Sequence, residues 1–427
     1  MTARLDNSLS SFDVLVVGAG PAGIAAACAA AESGARVGVV DDNPAAGGQI
    51  WRGGSEHSPS AEASVWHVRL ERANVNFISG AKVVAREADD VLVAETWERT
   101  LKLRFSQIVL ATGARERFLP FPGWTLPGVM GAGGLQALAK SGLSISGKRV
   151  VVAGSGPLLL AVADYLCHAG ARVLLIAEQA AAARIRGFAA RLALHPAKFW
   201  QAIRLRRALS GVPYHFGMWP VAVGGAEKLE WVELVHNGTK MRVACDYLAC
   251  GFHLVPNVDL AELMGCDIGG GFVRVNEFQE TTARGIFCAG EPVGIGGLET
   301  ALIEGQIAGY AAAGNVMKAR TLFAERAAAR KFTMLLAQTF ALRDELRNLA
   351  TPETLVCRCE DVSHARLAKY SDWRSAKLQT RCGMGACQGR VCGAAAEFIF
   401  GWRAESVRPP IFPARVESLA TLSSANE

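Results

Sequence analysis

The sequence predicts an α/β protein with two parallel-sheet βαβ domains and a small, mostly helical domain behind them. Three observations predict it: a strand, glycine-rich turn and helix near residue 20, the same succession near residue 155, and five cysteines crowded toward the end. At 427 residues the chain has room for two to four domains of ~150 residues each. With 51% hydrophobic and 20% charged residues it is neither disordered nor collagen-like. The mean hydropathy of +0.21 raises the question of a membrane span. The longest uncharged run, Val14 to Ala31, contains Gly18, Gly20, Pro21 and Gly23, so it reads as a strand, a turn and a small-residue helix. Asp13 directly before that run, and a leader with little basic character beyond Arg4, argue against a signal peptide. The expectation is a cytoplasmic protein with no transmembrane segment.

Phe12 to Val17 is the first strand, and Gly18-Ala19-Gly20-Pro21-Ala22-Gly23 leads into an alanine-rich helix ending near Ser33. The next strand, Gly34 to Val40, ends at Asp41 and Asp42. This is a Rossmann-like dinucleotide fingerprint. Gly18 permits the tight turn, Gly20 lets backbone approach a pyrophosphate, and Gly23 lets helix and strand pack closely. The first amides of the helix then face the phosphates. Asp41 stands about 20 residues on, where a carboxylate accepts hydrogen bonds from ribose hydroxyls.

The second unit runs from the strand Lys148–Ala153 through Gly154-Ser155-Gly156-Pro157-Leu158-Leu159, a helix to about His168, and the strand Ala171 to Ala177 before Glu178. Leu159 replaces the third glycine; its bulk holds the helix off the strand and narrows the phosphate site. Gly154, Gly156 and Glu178 are therefore candidates for a second adenine nucleotide, NAD(P) or ATP, without productive hydride delivery being expected. Leu248 to Gly251, continuing to Asn257, reads as the strand end that closes this domain.

Between and beyond these units lie Gly47-Gly48-Gln49-Ile50, Ala111-Thr112-Gly113 and Gly290-Glu291. In this order they resemble the two-dinucleotide-domain flavoproteins that include the glutathione and thioredoxin reductases. The resemblance implies FAD in the first domain, held by the first glycine loop, Asp41 and Asp42, Gly48, Gln49, Ala111, Thr112, Gly113, Gly290 and Glu291. Glu291 stands where that family usually has Asp, which keeps the carboxylate for the flavin ribityl chain. Gly294 to Gly297, with Ala301 and Gly305, resemble the helix whose N-terminus faces the flavin. Disulfide reductases also place redox cysteines beside the flavin. Here Gly47 to Arg52 has none, and no Cys-x-x-Cys occurs between Gly113 and Gly285. Dithiol exchange is not expected, so electrons must leave another way.

Of 11 cysteines, Cys28, Cys167, Cys245, Cys250, Cys266 and Cys288 are scattered through apolar stretches and read as small hydrophobes. The others are Cys357-Arg-Cys359 and Cys387-Gln-Gly-Arg-Val-Cys392, with Cys382 before Gly383-Met-Gly385. Thiolates in two close pairs, Cys357 with Cys359 and Cys387 with Cys392, suit a [2Fe–2S] cluster, and the neighbouring glycines let amides approach the sulfurs. Zinc is the competing metal, though this is not a usual zinc-ribbon spacing. Cys382 reads as a neighbour. The net-basic connector after Gly314 carries Leu322, Leu335, Leu336, Phe340 and Leu346 at helical spacing, a helical hairpin between domains.

The net charge of +6 does not imply nucleic acid. From Gln179 to Ala226 there is no Asp or Glu, while Arg184, Arg186, Arg191, Lys198, Arg204, Arg206 and Arg207 fall inside. Solvated basic helices explain this stretch; docking of an acidic partner or a nucleotide phosphate is the sharper alternative. No Ser/His/Asp set or acid–base carboxylate pair stands out, so no catalytic residue is assigned.

The whole succession, ending in Gly-Met-Gly-x-Cys-Gln-Gly-x-x-Cys and a Pro-rich tail, resembles the A or alpha subunits of bacterial heteromeric amino- and imino-acid dehydrogenases. Opine oxidase, hydrogen cyanide synthase and D-hydroxyproline dehydrogenase subunits are members. The cysteine segment resembles the bacterioferritin-associated-ferredoxin type of [2Fe–2S] domain, which implies Cys357, Cys359, Cys387 and Cys392 as ligands. The resemblance further implies substrate oxidation on a D-amino-acid-oxidase-like flavoprotein subunit, a small ferredoxin-like subunit, and membrane association only through the complex. Domains follow as residues 1–113 and 276–316 for FAD, 114–275 for the second nucleotide-type domain, 317–350 for a helical linker, and 351–427 for the cluster domain and tail. A stand-alone NAD(P)H-dependent FAD/[2Fe–2S] reductase, and a scaffold with structural cofactors, are the alternative readings.

Overall fold

The computed structural model describes residues 9–52, 61–403 and 406–422. Contacts divide the chain into two units: Met1–Arg115 with Pro256–Thr333 and Ser406–Glu427, and Glu116–Val255 with Met334–Glu405.

In the first unit, strand Leu9–Val17 pairs in parallel with Val37–Val40 on one side and with Thr100–Leu110 on the other. Asn76–Ile78 and Ile286–Cys288 extend the parallel sheet outward. The hairpin Lys82–Ala88 and Val91–Glu95 adds antiparallel strands to Thr100–Leu110. Val14 to Val17 and Val37 to Val40 are continuous apolar runs because a parallel sheet is covered on both faces. Helix Pro21–Glu32 begins on a proline, whose missing N–H costs nothing in the first turn. It is buried from Ala22 to Ala30, which explains why alanine, rather than an amphipathic pattern, fills it. Its neighbour is helix Gly297–Ala312. A Cβ on Gly305 or Gly309 would collide with the carbonyl of Ala22 or Ala26, so the small residues set that close helix contact. The tail also packs here: Ile411 N–H donates to the Val84 carbonyl at 2.9 Å, and the Ser418 hydroxyl lies 2.8 Å from that of Thr100.

The second unit repeats the plan. Its parallel sheet runs Tyr214–Phe216, Arg172–Glu178, Arg149–Ser155, Tyr247–Phe252 and Val129–Gly131, with a separate three-stranded antiparallel sheet built from Met218–Gly224, Trp231–His236 and Thr239–Ala244. The C-terminal segment of this unit is a short hairpin, Leu355–Cys357 with Val362–Ser363, followed by helices His364–Leu367, Trp373–Thr380 and Cys392–Phe400. It has its own small core of Val356, Val362, Leu367, Ala376, Ala395, Ala396 and Trp402. The basic stretch forms helices Ala182–Leu192 and Pro196–Ala208. The connector is helical over Val316–Thr321 and Phe323–Thr339, then stops at Phe340. Among the described residues, no helix is long and apolar enough to cross a membrane.

Candidate functional site

The first glycine loop is drawn tight by its own sequence. Gly18 N–H donates to the Val40 carbonyl at 2.8 Å, and Gly18 adopts φ +101°, a conformation that an L side chain resists. A Cβ on Gly23 would collide with the Gly18 carbonyl, so only glycine allows helix Pro21–Glu32 to start immediately after Gly20. No side chain caps that helix. Its first amides thus remain available to an anion.

The acids take distinct roles. Asp41 accepts from Ala19 N–H at 2.5 Å with one oxygen, and from the backbone and side-chain amides of Asn43 at 2.7 and 2.8 Å with the other. Burial, then the adjacent Asp41 charge, pushes the Asp42 carboxyl above its usual range. Gly48 packs on Gly20, while Gln49 accepts from Arg52 at 2.6 Å. At the end of the Thr100–Leu110 strand, Ala111 N–H donates to Val17 at 2.8 Å. The Thr112 hydroxyl donates to the Asn257 carbonyl at 2.6 Å, and Asn257 N–H donates to the Gly113 carbonyl at 3.0 Å. Asn257 therefore fixes the strand exit, a role that no motif in the sequence signals.

Glu291 comes from far along the chain, directly after the strand Ile286–Cys288. Its Oε1 accepts from Gly297 N–H, the start of helix Gly297–Ala312, at 3.0 Å. Its Oε2 is buried with no hydrogen-bond partner among the described residues. Burial raises its carboxyl to about 7. A buried acceptor left open is costly unless a ligand hydroxyl meets it. These features fit FAD: uncapped helix amides for the pyrophosphate, Asp41 for a ribose and Glu291 for a ribityl hydroxyl. Gly290 N–H donates to Glu304 at 3.2 Å, and Arg330 holds Glu304 at 2.7 Å, so this buried acid is already partnered.

Beside the second loop the strand ends are engaged by the chain's own groups, although the helix that follows is also uncapped by a side chain. Glu178, fully buried, accepts from Gly156 N–H at 2.7 Å and Ala180 N–H at 2.8 Å, and burial raises its carboxyl to about 7. Above it, three side chains donate to one carbonyl, that of Phe340: Ser155 at 2.9 Å, Gln179 at 3.2 Å and His253 at 2.6 Å. The Gln179 amide also reaches Ala341 at 3.3 Å, and its Oε1 accepts from Arg343 N–H at 3.2 Å. Phe340 to Arg343 thus lies across the carboxyl ends of three parallel strands, the crevice in which such sheets bind ligands. Burial keeps His253 neutral to lower pH than usual, consistent with a single Nε2–H given to Phe340. Leu159 turns into the core with Val152, Val162 and Ile176, and the helix starts one residue further from the first glycine than in the first loop.

The cysteines near the end form one group. The sulfurs of Cys357, Cys382 and Cys392 lie within 4.8 Å of one another, all buried. Cys359, exposed, has Cys387 as its hydrogen-bonding neighbour. With the three thiols so close, the Cys382 and Cys392 thiols hold Cys357 well below the usual thiol range and are themselves pushed up. Amides of Gly383 and Glu360 also face the Cys357 sulfur, and the Cys387 amide faces Cys359. Soft thiolate donors ringed by amides fit an iron–sulfur cluster. Cys382, which spacing alone leaves outside the two close pairs, joins the group: the turn Arg381–Gly383, with φ +66° and +81° at its ends, folds its thiol in beside Cys357.

The model of the pyridine nucleotide-disulphide oxidoreductase family matches residues 12–313. The chain belongs to that family. Family membership implies FAD and makes this chain an oxidoreductase. It is similar to an opine oxidase subunit of Agrobacterium tumefaciens (strain Ach5), at 31% identity over 96% of this chain and 92% of that protein. It is equally similar to the HcnB subunit of hydrogen cyanide synthase from Pseudomonas aeruginosa, at 31% identity over 88% of this chain and 90% of that protein. The solved L-proline dehydrogenase from P. horikoshii shares the fold, with a TM-score of 0.65 and 18% identity over 97% of this chain and 81% of that one. Within the family, this oxidoreductase departs from the disulphide-reducing pattern: its close-set thiols lie beyond residue 313.

Proposed function

We propose that this oxidoreductase is the electron-transferring flavin and iron–sulfur subunit of a multisubunit dehydrogenase. An amino or imino acid, of the opine, D-hydroxyproline, proline or glycine class, is oxidised on a separate flavoprotein subunit. The observation that carries this reading is the cysteine group, a redox-metal donor set in a flavoprotein-family chain whose flavin turn, Gly47 to Arg52, has no cysteine. The relatives named above, described as subunits of opine oxidase and hydrogen cyanide synthase, support the multisubunit setting.

When bound, FAD supplies a two-electron acceptor that discharges singly, and a [2Fe–2S] cluster supplies a one-electron carrier. Gly18, Gly20, Pro21, Ala22 and Gly23 would present amides to the FAD pyrophosphate, Asp41 and Asp42 would bind its ribose side, and Glu291 its ribityl chain. Gly48, Gln49, Ala111, Thr112, Gly113 and Gly290 would line the remainder. Cys357, Cys359, Cys387 and Cys392 would hold the cluster. The partners are a small ferredoxin-like protein and the D-amino-acid-oxidase-like flavoprotein that oxidises the substrate, in the cytoplasm or at its membrane face.

Direct reduction by NAD(P)H is disfavoured because Phe340 to Arg343 already takes the donors around Gly154 and Gly156. The test is anaerobic purification from the native host. The expected material carries FAD, about two irons and two acid-labile sulfides per chain, a rhombic paramagnetic signal after reduction, and a co-eluting flavoprotein. Zinc instead of iron, or rapid flavin bleaching by NADH without any partner, overturns the reading.

A further inference from the structure

The number of thiols exceeds what a [2Fe–2S] cluster needs, and their arrangement is unequal. Two sulfurs per iron account for four cysteines. Exposed Cys359 neighbours half-buried Cys387 rather than pairing with Cys357 as the sequence spacing suggests, which leaves three buried thiols, Cys357, Cys382 and Cys392, for the other two coordination positions. The three sulfurs lie within 4.8 Å of one another, so any two of them can face one metal position. Cys382 and Cys392 are 0% and 1% exposed and come from different local structures. Cys392 is the first residue of helix Cys392–Phe400, where the unpaired amides favour a thiolate. Cys382 sits in the turn after helix Trp373–Thr380, anchored by its N–H to the Thr380 hydroxyl at 3.2 Å.

We propose that Cys382 is an alternative ligand at the buried iron position, able to take the place of Cys392. This inference rests on the iron–sulfur reading above. The exchange needs no oxidant: one thiolate leaves the iron and accepts a proton as the neighbouring thiol gives one up and binds. The geometry favours it because the three sulfurs already share one volume, so replacement requires side-chain rotation rather than backbone movement. A thiol so placed also donates S–H···S to a ligand sulfur when it is not itself a ligand, which stabilises the reduced cluster.

The test uses the full chain, loaded with ferrous iron and sulfide under anaerobic conditions, with FAD content as the control for folding. Cys392→Ala is expected to keep both irons and a rhombic signal, with g-values shifted from the wild type. Cys382→Ala is expected to keep the cluster, and the double variant Cys382→Ala/Cys392→Ala to lose it while retaining FAD. A flavin-loaded Cys392→Ala without iron, beside a wild type that holds two, overturns the exchange alone. If Cys392→Ala does not retain FAD, Cys392→Ser is read in its place: an iron-bound sulfur count equal to the wild type supports exchange, and an oxygen-ligated spectrum overturns it. A wild-type chain without iron overturns the underlying reading as well.

Discussion

The two glycine loops share a turn and an uncapped helix start, yet beside the second the strand ends are crossed by the chain's own Phe340 to Arg343. In the first, the acid at the strand end holds the loop from the side, and the helix amides are left free. In the second, Glu178 turns fully inward to bond Gly156 and Ala180, and the Phe340 carbonyl gathers the donors of Ser155, Gln179 and His253. The difference teaches that a glycine fingerprint specifies a turn, whereas occupancy depends on which polar groups the rest of the chain has already satisfied. A buried donor offered a permanent partner has no reason to wait for a nucleotide.

The comparison can be broken most severely at the third motif position. Gly23→Val is expected to lower FAD content at least about tenfold, because bulk forced against the Gly18 carbonyl costs ~1–3 kcal/mol or more; flavin absorbance per chain measures it. The mirror change, Leu159→Gly, should instead destabilise the second unit by about 2–5 kcal/mol in urea unfolding and leave NADH unable to bleach the flavin. Fast bleaching in that variant would show the second crevice to be usable after all.

Asp41→Ala should weaken FAD binding about tenfold, through loss of ~1–1.5 kcal/mol in charge-assisted hydrogen bonds, as followed by flavin fluorescence on titration. Glu178→Gln should leave FAD affinity unchanged. Gln179→Ala removes the acceptor of the Arg343 amide and two donors to Phe340 and Ala341. Exchange of the Arg343 amide should then accelerate by about tenfold, with the first loop unaffected.

The smallest effect is on pH dependence. Glu178 has its carboxyl raised by burial from 4.5 to about 7, so between these values the native state binds more protons than the unfolded chain. The stability it contributes is full below 4.5 and is lost as pH rises through about 7. Thermal unfolding across that window should therefore flatten in Glu178→Gln. An unchanged slope would place the dependence in another buried acid, Glu291, whose carboxyl is raised to the same level.

Much of the molecule is legible in the residues. Gly18, Gly20 and Gly23 with Asp41 announce the first βαβ unit because each glycine answers a local steric need that no other side chain meets. Gly154, Gly156 and Leu159 announce the second unit, and Leu159 its helix offset, for the same reason. The segment from Cys357 to Cys392 is legible as a thiol cluster because five cysteines fall within a few dozen residues, and three of their sulfurs do come together. What is illegible joins residues far apart in sequence. The hydrogen bonds of Ser155, Gln179 and His253 to Phe340 carry no periodicity or motif, and neither does the hold of Asn257 on Thr112. Phe340 looks like one more apolar position on a helix, but its function lies in its carbonyl.

Local sequence thus sets the two βαβ units, the loop conformations and the presence of a thiol cluster, because each depends on interactions within a few dozen residues. Only the packed chain decides that the tail from Ser406 joins the first unit, that Cys382 meets Cys357 and Cys392, and that the second crevice is filled from within. Those outcomes turn on which buried polar groups and sulfurs find partners across long chain separations, and that competition is resolved only when distant segments have come together.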